Sequence, residues 1–162
     1  MSERLSPKQV VNLINFVGDE LTTSSFDLPN LFTKEISFTS NVVLPVVKGI
    51  VKKANKPGLY VRGDGSHPVK SIHHANLEFK PDISIGFHND LHLAFEVKII
   101  RNSDPSGSFA KAIGQGLTYR TIGGFDASFV LIFDLRRSAP LLSAPTKSLI
   151  ESEIKNLFLY VW

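Results

Sequence analysis

"FKPDISIGFHNDLHLAFEVKII", residues 79–100, is two strand-forming runs joined by a short polar break, and it carries Asp82, Glu96 and Lys98 in otherwise apolar surroundings. Charges so placed cost free energy unless something pairs with them. Alternate residues of a strand face opposite ways. Leu91, Leu93, Phe95, Val97 and Ile99 therefore share one face, and His92, Ala94, Glu96 and Lys98 share the other. In the first run Ile83, Ile85 and Phe87 form the apolar face, while Asp82, Ser84 and Gly86 form the polar one. Reading "HND" at 88–90 as the hairpin loop pairs Phe87 with Leu91 and Ile83 with Phe95, and sets Asp82 opposite Glu96.

Facing residues of an antiparallel pair have Cβ atoms ~4.5–5.5 Å apart, and two carboxylates at ~5 Å repel by ~3 kcal/mol at an effective dielectric of ~20. A sheet shaped for stability alone avoids that. A divalent cation between the two removes the conflict, because Mg2+ is held by one or two carboxylates together with water and substrate phosphate. Lys98, two residues beyond Glu96 on the same face, would lie within a few ångströms of such an ion. A lysine there can stabilise developing phosphate charge, or help orient and deprotonate a water.

The flanking segments say what supports this hairpin. "SPKQVVNLINFVGDEL" opens with a Ser6 cap, Pro7 and Gln9, and predicts a helix over 7–21 with Val10, Leu13, Ile14, Val17 and Leu21 as its apolar stripe. "LFTKEISFTSNVVLPVVKGIVKKANKPG" reads as helical from the low thirties to about 54, kinked or restarted at Pro45. Its basic end, Lys48, Lys52, Lys53 and Lys56, is either a solvated last turn or a phosphate-contact patch. "GLYVRGDG" reads as a strand entering a Gly-Asp-Gly turn, and "SHPVKSIHHA" as a loop.

After the hairpin, "SDPSGSFAKAIGQGLTYRTIGG" predicts a helix, and "ASFVLIFDLR" a strand buried on both faces. Strand, helix and strand together form a β-α-β unit, and so a parallel pair with a right-handed crossover. On that helix Gln115 and Tyr119 stack with Lys111 at four-residue spacing, opposite Phe109, Ala112, Ile113, Gly116 and Leu117. Gly114 and Gly116 each cost ~1 kcal/mol of helix propensity relative to alanine, which calls for a reason such as close packing. "RRSAPLLSAPT" reads as a linker, and Ser148 with Glu151 as the cap of a last helix over 148–158.

The chain has 162 residues, most simply one domain over 1–162, with 43% hydrophobic and 20% charged residues, the balance of a soluble globule. No apolar run is long enough to cross a bilayer, and "MSERLSPKQV" is charged where a secretory signal turns apolar. There is no cysteine, which excludes disulfides and thiolate zinc sites and fits a cytoplasmic or other intracellular, reducing location. A net charge of +3 permits nucleic-acid binding without demanding it. His73 with His74 and His88 with His92 are the only histidine clusters; neither predicts a zinc site, and His73 or His74 would at most touch substrate.

"PD" at 81–82, thirteen intervening residues and "EVK" at 96–98 resemble the catalytic motif of the PD-(D/E)xK, or restriction-endonuclease-like, nuclease superfamily. The order of elements over about 30–136 is similar to that superfamily's core, with helices 7–21 and 148–158 as additions. The resemblance implies a three-layer α/β/α fold around a central mixed β-sheet, and a Mg2+- or Mn2+-dependent nuclease acting on DNA. Asp82 and Glu96 would hold the metal, and Lys98 would assist the attacking water. The pattern Q-x-x-x-Y, Gln115 and Tyr119, is similar to the motif of the RecB-like branch, where this helix borders the active site and the DNA. The superfamily often adds an acid from its first core helix, for which Glu35 is the first choice and Glu20 the second. Lys52, Lys53 and Lys111 are the expected nucleic-acid contacts. Two alternatives stand beside this: a Holliday-junction resolvase or restriction-type homodimer seamed through the C-terminal helix and the exposed aromatic end "LFLYVW", and a non-catalytic nucleic-acid-binding or assembly module on the same fold.

Overall fold

The computed structural model describes residues 4–63, 69–136 and 142–162. Helix α1 (Pro7–Thr23) starts on the expected capping box: Ser6 Oγ accepts from Gln9 N–H at 3.3 Å and Gln9 Oε1 accepts from Ser6 N–H at 2.8 Å. The next helical stretch is continuous but changes pitch, from α2 (Glu35–Phe38) through a π-helical turn (Thr39–Val43) into α3 (Leu44–Ala54). Pro45 has no N–H to donate and its ring crowds the carbonyls before it. Widening the preceding turn accommodates both, so the helix neither breaks nor restarts.

Strand β1 (Leu59–Arg62) follows, then a small hairpin of β2 (Ile72–His74) and β3 (Leu77–Phe79), then β4 (Ile83–Phe87) and β5 (Leu91–Ile100). Helix α4 (Pro105–Thr121), strand β6 (Ala127–Asp134), helix α5 (Ala144–Glu153) and strand β7 (Leu157–Val161) complete the chain. The main sheet has the order β1-β4-β5-β6-β7. β1, β4 and β5 pair antiparallel, whereas β5, β6 and β7 pair parallel, so the sheet is mixed.

Helices cover both faces. Ile83, Ile85, Leu93, Phe95, Val97, Phe129 and Leu131 point into a core closed by Ile14, Val17 and Leu21 of α1 and Val47 and Ile50 of α3. On the reverse, Ile100, Val130, Ile132, Leu157 and Leu159 pack with Ala112 of α4 and Ile150 of α5. The two crossovers, α4 and α5, lie on the same face, as a common hand requires when strands are added in one direction.

Three expectations need correction. The segment expected as a loop, 66–75, of which 66–68 lie outside the described residues, carries β2, which pairs with β3 in a hairpin turned by Ala75 and Asn76 at φ 50° and 62°. Its strands are too short for an alternation signal, and it is held by Ile72 and Phe79 packing against Ala94, Tyr119 and Phe125. The predicted helix 148–158 is instead α5 (Ala144–Glu153), capped by Ser143 rather than Ser148 and followed by β7. Asn156 at φ 61° stops the helical path, and pairing with β6 decides the conformation of "LFLYV". Glu151 caps nothing there, since its Oε1 accepts from Leu159 N–H at 2.8 Å. The aromatic end is consequently part of the core rather than an exposed seam: Phe158 stacks on Phe129 and Trp162 on Phe133, with ring centroids 5.2 and 5.1 Å apart. Most of the Gly-Asp-Gly turn, from Asp64 on, and residues 137–141 of the predicted linker lie outside the described residues. Among the described residues no helix is long and apolar enough to cross a membrane.

Candidate active site

The β4–β5 register runs from Ile83 opposite Phe95 to Phe87 opposite Leu91, as the apolar alternation predicts. Asp90 N–H closes the loop onto Phe87 O at 3.0 Å. Asp82 stands just before β4 and is tied to β5 twice: its N–H donates to Phe95 O at 3.1 Å and its Oδ2 accepts from Val97 N–H at 2.8 Å. One edge of Asp82 still meets solvent, while protein atoms crowding the rest raise its carboxyl above the ordinary value, the Val97 bond opposing.

Across from it Glu96 is only 3% exposed. The fully buried Tyr119 of α4 donates its hydroxyl to Glu96 Oε2 at 2.9 Å and stands 3.0 Å from Lys80 O. One phenolic proton cannot serve both acceptors fully, whereas a protonated Glu96 would satisfy them in series, donating to Tyr119 and leaving its proton for Lys80. Burial, and then the charge of Asp82, push the Glu96 carboxyl up to about 8, against the pull of Tyr119 and Lys98. Burial likewise raises the Tyr119 hydroxyl, and the Glu96 charge adds to it.

Lys98 Nζ donates to Glu35 Oε1 at 2.6 Å, and Glu35 Oε2 accepts from Ile99 N–H at 3.0 Å. Glu35 opens α2, and the segment before it is pinned from β5: Arg101 donates to Leu31 O at 3.3 Å and to Thr33 O. Both Glu35 oxygens are thereby engaged, and its field reaches Asp82 and Glu96.

Helix α4 closes the site from the other side. Its Cβ-free Gly116 permits this: a methyl there would meet Val130 Cγ2 at 2.6 Å and Leu157 Cδ1 at 3.0 Å. The close approach brings Tyr119 onto Glu96 and sets Gln115, one turn earlier, beside the Tyr119 hydroxyl, where its Oε1 is buried without a hydrogen-bond partner. Gly114 has open space around its Cβ direction, and nothing in the structure explains it.

Six of the expected residues, Glu35, Asp82, Glu96, Lys98, Gln115 and Tyr119, therefore meet at one place. Others do not. Tyr119 lies on the buried side of α4 with Ala112 and Gly116, while Lys111, two turns before Tyr119, and Leu117 are exposed. Glu20 pairs with Lys53 at 2.7 Å and takes no part in the cluster. The roughly 17 residues from Glu35 to Lys52 span about 25 Å at ~1.5 Å per residue, which puts Lys52 and Lys53 at the far end of α3 from the site. His73 and His74 lie exposed on β2. Sequence reasoning missed Lys80, which acts through its carbonyl, and Arg101, which acts on the backbone before α2. Neither contact has a side-chain pattern to betray it.

Among the described residues no three His, Cys, Asp or Glu side chains form a ready-made metal cage. The carboxylates left to a cation are Asp82 and Glu96, with Glu35 committed to Lys98 and Ile99. No protein-family model, characterised protein or solved structure matches the chain, so the reading of this site rests on its own geometry.

Proposed function

We propose that this chain is a metal-dependent nuclease with a restriction-endonuclease-like core, hydrolysing phosphodiester bonds in DNA. The observation that carries the reading is Glu96, buried opposite Asp82 with its charged form disfavoured while the nearest ammonium, Lys98, is held by Glu35. A carboxyl so placed is poorly served by the protein alone. The orphaned Oε1 of Gln115 beside it is a second buried polar group that a ligand would satisfy. These features fit a Mg2+ or Mn2+ ion held by Asp82 and Glu96, with remaining positions for water and phosphate. When bound, such an ion supplies charge neutralisation at the phosphoryl group and a more acidic water.

The chain's own residues divide the remaining work. Glu35 accepts a hydrogen bond from one of the three Lys98 N–H groups and fixes the direction of the ammonium, leaving two donors for a phosphate oxygen and the attacking water. Asp82 Oδ2 is held by Val97 N–H, so among the described residues the other oxygen is the one left to bind. Tyr119 sets the Glu96 rotamer from α4, and Gln115 lines the same wall. Water adds in line to phosphorus as the bond to the leaving oxygen breaks, which needs no covalent enzyme intermediate.

The test is incubation with supercoiled, linear, single-stranded and branched DNA, with and without Mg2+ or Mn2+. Cleavage is expected only with metal, and it should vanish in a folded Glu96→Gln variant. Failure of the wild-type protein to cleave any of these with either ion would replace the nuclease by a nucleic-acid-binding module.

A further inference from the structure

The polar face of the sheet continues past Asp82 and Glu96 toward β1, and it changes sign. Arg62 pairs with Ser84, two residues along β4 from Asp82 and on the same face. Diagonal neighbours of this kind are ~7–8 Å apart between backbones. One row further on, the Tyr60 ring lies flat over Gly86, where a Cβ would meet its ring at 2.5 Å, and Gly86 pairs with His92. The Arg62 guanidinium stacks on that ring at 4.9 Å and donates from Nη2 to Tyr60 Oη at 3.0 Å.

Among the described residues no carboxylate pairs with Arg62, and its Nε is buried without a partner. Lys70, on the exposed approach to β2, lies close enough to act on the His92 ring. Burial first and then the Lys70 charge disfavour protonation of that ring, with Arg62 adding and Asp126 opposing. Asp126 is itself engaged, accepting His92 N–H at 2.8 Å. Among the described residues, two cationic side chains and the His92 ring thus share one patch in which Asp126 is already engaged. A half-buried guanidinium with an orphaned Nε is costly, and its planar fork suits a phosphate.

We propose that Arg62, Lys70 and His92 form a phosphate-binding subsite that takes the nucleic-acid chain at a phosphate neighbouring the one cleaved. This deepens the nuclease reading and takes its ligand from it. Arg62 is a positioning residue for the substrate, not a group that touches the reacting atoms.

The experiment is binding of a labelled DNA oligonucleotide over a range of KCl in Ca2+, with cleavage kinetics in Mg2+ alongside. Arg62→Ala and, separately, Lys70→Ala should each flatten the dependence of log affinity on log salt by about 0.7–0.9, similarly for unrelated sequences. KM should rise with kcat nearly kept. Arg62→Lys should retain the salt slope while weakening binding. Lys70 is exposed, so its variant keeps the test clear of folding, and thermal melting controls for loss of Arg62 packing on Tyr60. Unchanged slopes for both alanine variants, in a protein that cleaves, overturn the subsite alone. A wild-type protein that binds without cleaving, with both slopes flattened, keeps the subsite and loses the nuclease. A wild-type protein that does not bind overturns both.

Discussion

Burial beneath Tyr119 and the charge of Asp82 hold the Glu96 carboxyl near 8, against 4.5 for the unperturbed group. A carboxyl raised by folding stabilises the native state fully below its unfolded value, and that contribution is lost as pH rises through the folded one. Without metal, the melting temperature should therefore fall between about pH 4.5 and 8, by an amount on the order of a few kcal/mol in stability. Asp82, raised in the same direction, adds to the trend. Glu96→Gln should flatten the profile and melt higher than wild type at pH 8, which a set of thermal scans in chelator checks. Lys98→Ala should leave metal binding largely intact while cutting kcat by orders of magnitude, and Lys98→Arg should not rescue it, because a planar guanidinium replaces a compact point charge. Glu35→Gln separates holding the lysine from holding the ion. With Glu35 spent on Lys98 and Ile99, kcat should drop and Mg2+ affinity should stay.

The hairpin was legible because two alternations had to agree: Ile83, Ile85 and Phe87 against Leu91, Leu93 and Phe95 admit one register, and Asp82 and Glu96 follow from it. The α4 face was legible only in part. Spacing put Gln115 and Tyr119 together, but how deeply Tyr119 is buried depends on the helix's close approach at Gly116, which is a tertiary fact. Gly116→Ala should destabilise by ~1–3 kcal/mol through overpacking against Val130. Gly114→Ala, with open space around it, should stabilise by up to ~1 kcal/mol. Denaturant titrations of the two variants should move in opposite directions. β7 was hidden for another reason: Ile150, Ile154, Leu157 and Phe158 fit a helical stripe as well as a strand's start, and only the unpaired edge of β6 decides. Glu35 was found by its type and position, while its partner Lys98 lies 63 residues away, beyond any local pattern.

At the scale of the whole molecule, two sets of basic groups stand apart. Lys52 and Lys53 close α3 far from the carboxylates, with Lys53 paired to Glu20, whereas Arg62 and Lys70 flank the polar face that leads to Asp82. Mutating Lys52 and Lys53 together to alanine should leave the salt slope of DNA binding unmoved, the opposite of Arg62→Ala. A drop of up to ~1.8 in that slope would restore the α3 end as a contact surface.

The arrangement of both layers converges on one claim, that Asp82 and Glu96 are a cation site placed on two paired strands. Calorimetric titration of Mg2+ into the DNA-free protein tests it most directly. Wild type should bind Mg2+, and Asp82→Asn and Glu96→Gln, each folded by circular dichroism, should lose that binding. Equal Mg2+ binding in either variant would contradict the claim.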